Sequence, residues 1–508
     1  MTRWKTTTAA LMIAALALTG CAAASESAST DESGGTLTLV GFTAPDTMDP
    51  AGASWGNSSP FYQSVFDTLL LATPAGTIEP WLATGWEYNE DNTVLTLSLR
   101  DDVTFTDGSD LTADVVVKNL QRYKDGTSPN AGQFAAVEGF EALDDATVAI
   151  ALEAPDPALL SYLTRDAGLV GSADSLDSPE VATTPVGSGP YVLDTDATVT
   201  GTTYVYTKNA EYWNPEVQHY DELVINVITD PTAALNALKA GEANGVKLVT
   251  NDDVAEVEAA GWTIESTELD VQGLLLFDRD GEMNPALGNV KVRQAINFAI
   301  DRDAMLETLQ GGLGTVTTQM FPASSVGYDD GLDDYYTYDP ERAKQLLAEA
   351  GYPDGFEMES MSISMLGAST FALIGQQLED VGIRVSYVDT GIDQAIADML
   401  APKYPGVFMS LEQNPDWQLI NYMIAPTAAF NPLRSQDPRV DELIEQIQFG
   451  DESVAQEATG ELNEWLVEHA WFAPFYRVQG SFATDPETTV EMLPTNIFPA
   501  IYDIQPKS

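Results

Sequence analysis

The residue types able to do chemistry are unevenly supplied. The 508-residue chain holds 78 Asp and Glu, two histidines (His219 and His469) and one cysteine, Cys21. One cysteine excludes an intramolecular disulfide and a cysteine-based zinc site, and two histidines are too few for a histidine-rich metal centre. There is no His-Glu-x-x-His pair and no glycine loop of the phosphate-binding type, and nothing in the spacing sets either histidine beside a nucleophile. Carboxylate pairs such as Asp101-Asp102 and Asp333-Asp334 suit hydrolysis only if two acids converge in a cleft, a geometry that spacing does not give. The residues point away from an enzyme and from a resident metal; a secreted hydrolase stays as an alternative.

Charge and length narrow the class further. With 22 Lys and Arg the formal net charge is -56, a field that repels polyanions and disfavours direct adhesion to anionic lipid, so no nucleic-acid partner is expected. Solubility outside the cell or adaptation to salt accounts for such acidity. The 44% apolar content is ample for large cores, and the length suggests about three domains.

The first residues read as an address. Arg3 and Lys5 precede a short apolar run, Ala9 to Leu18, too short to cross a bilayer and closed by Thr19-Gly20-Cys21. Leu18-Thr19-Gly20-Cys21 resembles the lipobox of bacterial lipoproteins. The resemblance implies cleavage before Cys21, a diacylglyceryl group on its sulfur and residues 1–20 as signal peptide. Residues 21–35, poor in apolar side chains, then form a flexible tether.

The elements that must position any site alternate along the body. Thr36 to Phe42 and Thr93 to Arg100 alternate polar and apolar, as half-buried strands do, and further strands are expected at Tyr204–Tyr206, Glu222–Ile228 and Val271–Phe277. Helices are expected over Leu111–Tyr123 with Thr112 as N-cap, over Pro231–Gly241, and along Val292–Leu309. Others follow at Asp339 to Ala350, with Pro340 in the first turn, and at Val440–Phe449 and Val454–Val467. The pattern is a mixed α/β body without internal repeats.

Ordered segments of this body resemble the extracytoplasmic solute-binding proteins of ABC importers, family 5, the peptide/nickel class. The segments are Thr47-Met48-Asp49-Pro50, Pro80-Trp81-Leu82-Ala83-Thr84-Gly85-Trp86, Leu99 to Gly108 with Thr112 to Val115, Gly187-Ser188-Gly189-Pro190-Tyr191, Lys208 to Trp213, Val292 to Arg302 and Asp339 to Gly351. Most of them read as scaffold: Gly187 and Gly189 as a tight turn with unusual backbone angles, Trp81, Trp86 and Trp213 as core aromatics, Arg293 and Asp301 as structural polar partners.

The resemblance implies an α/β fold of the periplasmic-binding-protein-like type II, two lobes with a hinge plus an extra domain on the first lobe. Domain I is then 36–58, 187–273 and 477–508, domain II 59–186 and domain III 274–476. It implies a monomer without cofactor or bound metal that takes a peptide or peptide-like solute between its lobes, with an oligosaccharide or other solute as alternative. Such a receptor works with ABC importer permease subunits and meets the membrane through lipid on Cys21, at the cell surface or in the periplasm. In peptide-binding relatives a carboxylate shortly before an Asp-Pro-like pair meets the ligand amine. Aligned on Asn414-Pro415 that position is Leu411, and Glu412, one residue on, serves only if the register slips, since neighbours on a strand face opposite ways. The ligand-binding residues expected from the resemblance are Trp55, Asn57, Tyr62, Glu412, Asn414, Asp416, Trp417 and Tyr422.

Overall fold

Strand β1 (Thr36–Gly41) buries alternate leucines and runs parallel to β8 (Glu222–Val227) on one side and β9 (Gly245–Leu248) on the other. The computed structural model that shows this describes residues 34–507 except 364, 365 and 497. The expected signal peptide, Cys21 and the expected tether up to residue 33 fall outside the described residues.

Four further strands appear early in the chain: β2 (Ala83–Tyr88), β3 (Val94–Leu99), β4 (Val137–Asp144) and β5 (Thr147–Leu152), paired antiparallel in the order β2-β3-β5-β4. The largest sheet has nine strands. It includes β6 (Tyr191–Leu193), β7 (Thr203–Lys208), β10 (Thr263–Leu276), β11 (Gly314–Val316), β14 (Gly406–Glu412) and β15 (Phe472–Thr484). Its order is β6-β7-β8-β1-β9-β15-β10-β14, with β11 added on β15. A separate parallel pair joins β12 (Phe356–Ile363) to β13 (Ile383–Thr390). The long strands β10 and β15 pair antiparallel, with register shifts at Glu268/Asp270 and Gln272/Gly273. Such bulges bend a strand and re-aim its side chains.

The helices follow the apolar spacing closely. Among them are α1 (Ala113–Lys124), α2 (Pro231–Lys239), α3 (Val290–Ala299), α4 (Arg302–Gln310), α5 (Pro340–Glu349), α6 (Ala368–Asp380), α7 (Pro438–Phe449) and α8 (Glu452–Glu468). The Thr112 hydroxyl accepts from Val115 N at 3.4 Å and Asp339 Oδ1 from Arg342 N at 2.8 Å, so both caps stand. The continuous periodicity of Val292–Leu309 is broken at Ile300, which is extended, and Asp301 starts α4 by accepting from Ala304 N. The buried Arg302 guanidinium explains the break: it donates to the carbonyls of Asn297, Tyr336 and Pro474, a docking that an unbroken helix would forgo. Arg293 likewise donates to the carbonyls of Leu287, His469 and Ala470.

Gly187 and Gly189 are not among the residues with positive φ, so a left-handed backbone is not what they supply; what they provide is closeness. A Cβ on Gly187 would lie 2.1 Å from Val65 O, and one on Gly189 2.5 Å from Val65 C, where Gly189 N donates to Val65 O. Gly187→Ala is expected to destabilise the fold by about 1–3 kcal/mol through overpacking. An unchanged urea midpoint would contradict this.

The tryptophan motifs meet at one acid. Asp67, fully buried, accepts from Trp81 Nε1 (2.8 Å) and Tyr212 OH (2.9 Å) on one oxygen, and from Ser188 Oγ (2.8 Å) and Trp213 Nε1 (3.0 Å) on the other. Arg100 lies 4.1 Å over the Trp213 ring. Burial pushes the Asp67 pKa up and the four donors oppose it. With both oxygens taken by donors, the site suits the ionised form.

Candidate functional site

Period-two alternation gives β10 and β14 one polar face. In the register of this antiparallel pair Asp270 stands opposite Glu412 and Gln272 opposite Ser410, while Val271 and Leu411 turn to the other side and pack against the core. Gln272 Nε2 donates to Ser410 Oγ (3.3 Å), and Ser410 Oγ donates to Asp270 Oδ2 (3.0 Å). The result is a carboxylate pair, Asp270 and Glu412, on a face that Leu411 does not share.

Arg165 stands against Glu412. Its Nη1 lies 3.6 Å from Glu412 Oε1 and its Nη2 donates to Thr495 O at 2.8 Å, which fixes the guanidinium from a separate part of the chain. The Glu412 pKa is raised, first by burial, with Arg165 opposing and Asp270 and Asp166 adding to the rise. Its side chain is nonetheless 54% exposed, so water reaches the carboxylate and tempers that push. Asp270 is also raised, by burial, against the Ser410 hydrogen bond and the Lys247 charge. Three carboxylates (Asp166, Asp270, Glu412) against two cations (Arg165, Lys247) leave the neighbourhood net negative.

A cavity of about 460 Å³ opens beside Asp270, lined by Lys247, Asn251, Asp270, Gln272, Gln310 and Ser369 among others; Glu412 stands across the strand pair from Asp270, outside this lining. That volume falls within the usual range for small-molecule sites, about 300–1,000 Å³. A groove of about 510 Å³ lies elsewhere, between α6 and β13, but its walls come from one stretch of chain, residues 362–389. The 460 Å³ cavity is bounded by β9, β10, β15, α4 and the start of α6, and such convergence of distant segments marks it as the better candidate.

The expected site residues divide. Trp55 and Arg165 line one narrow pocket, and Tyr422, 40% exposed and 4.7 Å from the Phe430 ring, feels the Glu412 charge, so Trp55, Glu412 and Tyr422 share this neighbourhood through Arg165 and Glu412. Asn414 is buried and its amide donates to Glu412 O, which shapes the end of β14. Asn57 is exposed. Asp416 Oδ2 accepts from Val326 N at 3.2 Å and thereby ties down a loop. Tyr62 and Trp417 lie in the apolar core rather than against the cavity; the Tyr62 hydroxyl donates to Thr47 O, and burial pushes its pKa up to about 12.

Arg165, Asp270 and Lys247 have no counterpart among the sequence-derived candidates. Asp270 carried a signal: Leu269, Val271 and the polar residues between them alternate, so a strand begun earlier would have placed Asp270 and Gln272 on one face. Arg165, between a helix turn and a 3-10 turn, carried none.

Gly52-Ala53-Ser54-Trp55-Gly56 has the letters of a nucleophile elbow, but Ser54 is exposed between two 3-10 turns, Pro50–Gly52 and Gly56–Ser58, not at a strand-to-helix turn. His469 caps α8 and stacks on Trp465 at 3.9 Å. Among the described residues no group of three or more His, Cys, Asp and Glu could hold a metal ion, and no helix is long and apolar enough to cross a membrane.

This fold and crevice define a solute-binding class, and the comparisons give the family. The model of "Bacterial extracellular solute-binding proteins, family 5 Middle" matches residues 77–434, and the chain belongs to that family. Heme-binding protein A of Haemophilus influenzae is 34% identical over 348 residues, 62% of this chain and 62% of that protein. Glutathione-binding protein GsiB of Escherichia coli is 28% identical over 458 residues, 86% of each chain. The structure of the ABC transporter-associated periplasmic binding protein DppA from Helicobacter pylori, in complex with the peptide STSA, shares the fold. Its TM-score is 0.74 at 23% identity, over 94% of this chain and 98% of that one. The likeness bears out the type II binding-protein fold expected from the sequence.

Proposed function

We propose that the chain is the receptor of an ABC importer that takes a peptide or peptide-like solute with a free amine into the crevice and passes it on unaltered. The observation that carries this reading is Asp270, which lines a cavity of ligand size and stands opposite Glu412 across β10 and β14. A desolvated ammonium needs a carboxylate partner, and a net negative wall provides one. The register that left Leu411 at the amine position is replaced by the face that Glu412 shares with Asp270. The names of GsiB and DppA, a glutathione-binding protein and a peptide complex, support the same class of solute.

Closure of two lobes, 36–58, 187–273 and 477–508 with 59–186 against 274–476, traps the solute. Both proposed boundaries fall within β10 and β15, beside the bulge at Gln272/Gly273, where a bend costs little. The importer's permease reads the closed form, no bond is broken, and the receptor acts as a monomer. Lipid on Cys21 holds it at the extracytoplasmic face of the membrane, since two or more acyl chains anchor stably where one is marginal.

A thermal-shift screen tests the solute class: free-amine peptides raise the melting temperature in step with their concentration, and N-acetylated ones do not. Stabilisation by oligosaccharides alone would overturn it. Cys21→Ser is expected to release the protein into the medium; protein still held on membranes after the exchange would contradict the anchor.

A further inference from the structure

Glu268, Asp270 and Gln272 lie two apart on β10, so a regular strand would set all three on one face. The pairing with β15 forbids that. Glu268 stands opposite Gln479 and Asp270 opposite Val478, which leaves Leu269 as an extra residue between two consecutive positions of the partner strand. Across this bulge the faces are exchanged: Glu268 joins the side of Val271 and Arg477, while Asp270 and Gln272 line the cavity. Leu269 itself lines the cavity against Gly480, where a Cβ would lie 2.9 Å from Leu269 Cδ1.

Arg477, 2% exposed on β15, grips the bulge from the far face. Its Nε donates to Glu268 Oε2 at 3.0 Å, its Nη2 to Asp333 Oδ2 at 2.6 Å, and its Nη1 to Asp333 Oδ1 and Thr317 Oγ1, both at 3.1 Å. Asp333 is fixed in turn, accepting from Thr317 Oγ1 (2.6 Å), Gln319 Nε2 (2.7 Å) and Tyr328 OH (2.7 Å). The planar guanidinium suits this arrangement, a bidentate acid on one edge and a second carboxylate at Nε. From the other neighbour, just past β14, Gln413 N donates to Leu269 O (2.8 Å) and Gln413 Nε2 to Glu268 O (2.7 Å). The backbone of the bulge thus stays hydrogen-bonded where its pairing with β15 is interrupted.

We infer that Arg477 is a positioning residue for the crevice: by holding Glu268 on the far face of β10 it fixes the bulge at Leu269, and the bulge is what aims Asp270 at the solute. The inference rests on the free-amine reading above, because Asp270 is the acid that reading uses, and it names what keeps that acid in place. Glu268 carries the same charge two residues away; drawn to Arg477, it does not compete for the amine. Without the clamp the extra residue can be taken up by a one-residue slip, which exchanges the faces of the side chains beyond it.

The test uses the intact mature protein with short peptides, each with a free amine and in N-acetylated form, in calorimetric titrations, together with crystal structures of the variants. Glu268→Leu, which removes the acceptor at Nε and leaves Arg477 on Asp333, is expected to lower the preference for the free amine by about tenfold or more. Glu268→Gln loses the same charge but keeps an oxygen for Nε, and should hold the preference to within about threefold of wild type. Adding Arg477→Met to Glu268→Leu should lower it less than about twofold further, because the two residues act through one contact. In the Glu268→Leu structure Asp270 should no longer stand opposite Val478. A purely structural role would weaken both forms of the peptide equally and keep the register; a preference that survives in Glu268→Leu, or an unchanged register there, overturns the inference and leaves the free-amine reading standing. Should no peptide bind wild type, the proposed solute class falls, and the register in the Glu268→Leu structure alone decides whether Arg477 sets the bulge.

Discussion

Replacing both carboxylates of the pair, Asp270→Asn with Glu412→Gln, is expected to lower affinity for a free-amine peptide by about a hundredfold or more, since truncating a desolvated charge pair costs about 2–5 kcal/mol. The two oxygens lost belong to residues directly opposite each other on β10 and β14, so neither substitution alone removes the negative wall. Glu412→Gln alone should cost less, because its side chain is 54% exposed and already shares its charge with Arg165. Affinity should also fall on acidification. Both carboxyl pKa values are raised, so the pair takes up protons at a higher pH than ordinary carboxylates while the ligand amine stays charged. Unaltered affinity in the double variant, or binding that strengthens as pH falls, would show that the amine lies elsewhere.

Asp67→Ala is expected to be the most damaging single change to the fold. It removes the acceptor shared by four donors, those of Trp81, Ser188, Tyr212 and Trp213, three of them on buried residues. Breaking a buried charged network costs about 3–5 kcal/mol, against a total stability of about 5–15 kcal/mol. The variant should therefore unfold at much lower urea than wild type, while Asp67→Asn, which keeps one carbonyl acceptor, should be intermediate. A midpoint close to that of wild type for Asp67→Ala would mean that the aromatic packing around it, such as the Trp81–Trp213 contact at 4.8 Å, holds this region without the acid.

The local signals in the sequence carried far. Asp339-Pro340 and Thr112 start their helices where the capping chemistry requires, and the alternation at Thr36 and Thr93 produced β1 and β3 within a residue of the expected ends. Failures came where distant residues decide. The break at Ile300 exists because Arg302 reaches carbonyls as far away as Pro474, and no window of a few turns contains that information. The ordered motifs announced a scaffold, and Asp67, which sits at its centre, belongs to none of them.

The proposed site has a different kind of signal in the sequence. Glu412 stood out through its place before Asn414-Pro415, but its face is set by register with Asp270, 142 positions earlier in the chain, and only pairing reveals that the two acids meet. Aromatic residues were the weakest guide. Trp417 and Tyr62 pack in the core while Tyr422 is exposed near Glu412, and all three have the same composition signal of an aromatic beside a turn. Lys247 is invisible in sequence because one lysine among many acids reads as solvent-exposed charge; only the pairing of β9 with β15 sets it on the cavity wall.

The most direct measurement is native mass spectrometry of the mature protein purified from cells grown on a peptide-rich medium. Capture without chemistry predicts a one-to-one non-covalent complex whose ligand, freed by denaturation, has the mass of an intact short peptide and rebinds the emptied protein. Recovery of cleaved fragments from an added peptide, or a co-purifying solute with no amine, would contradict it.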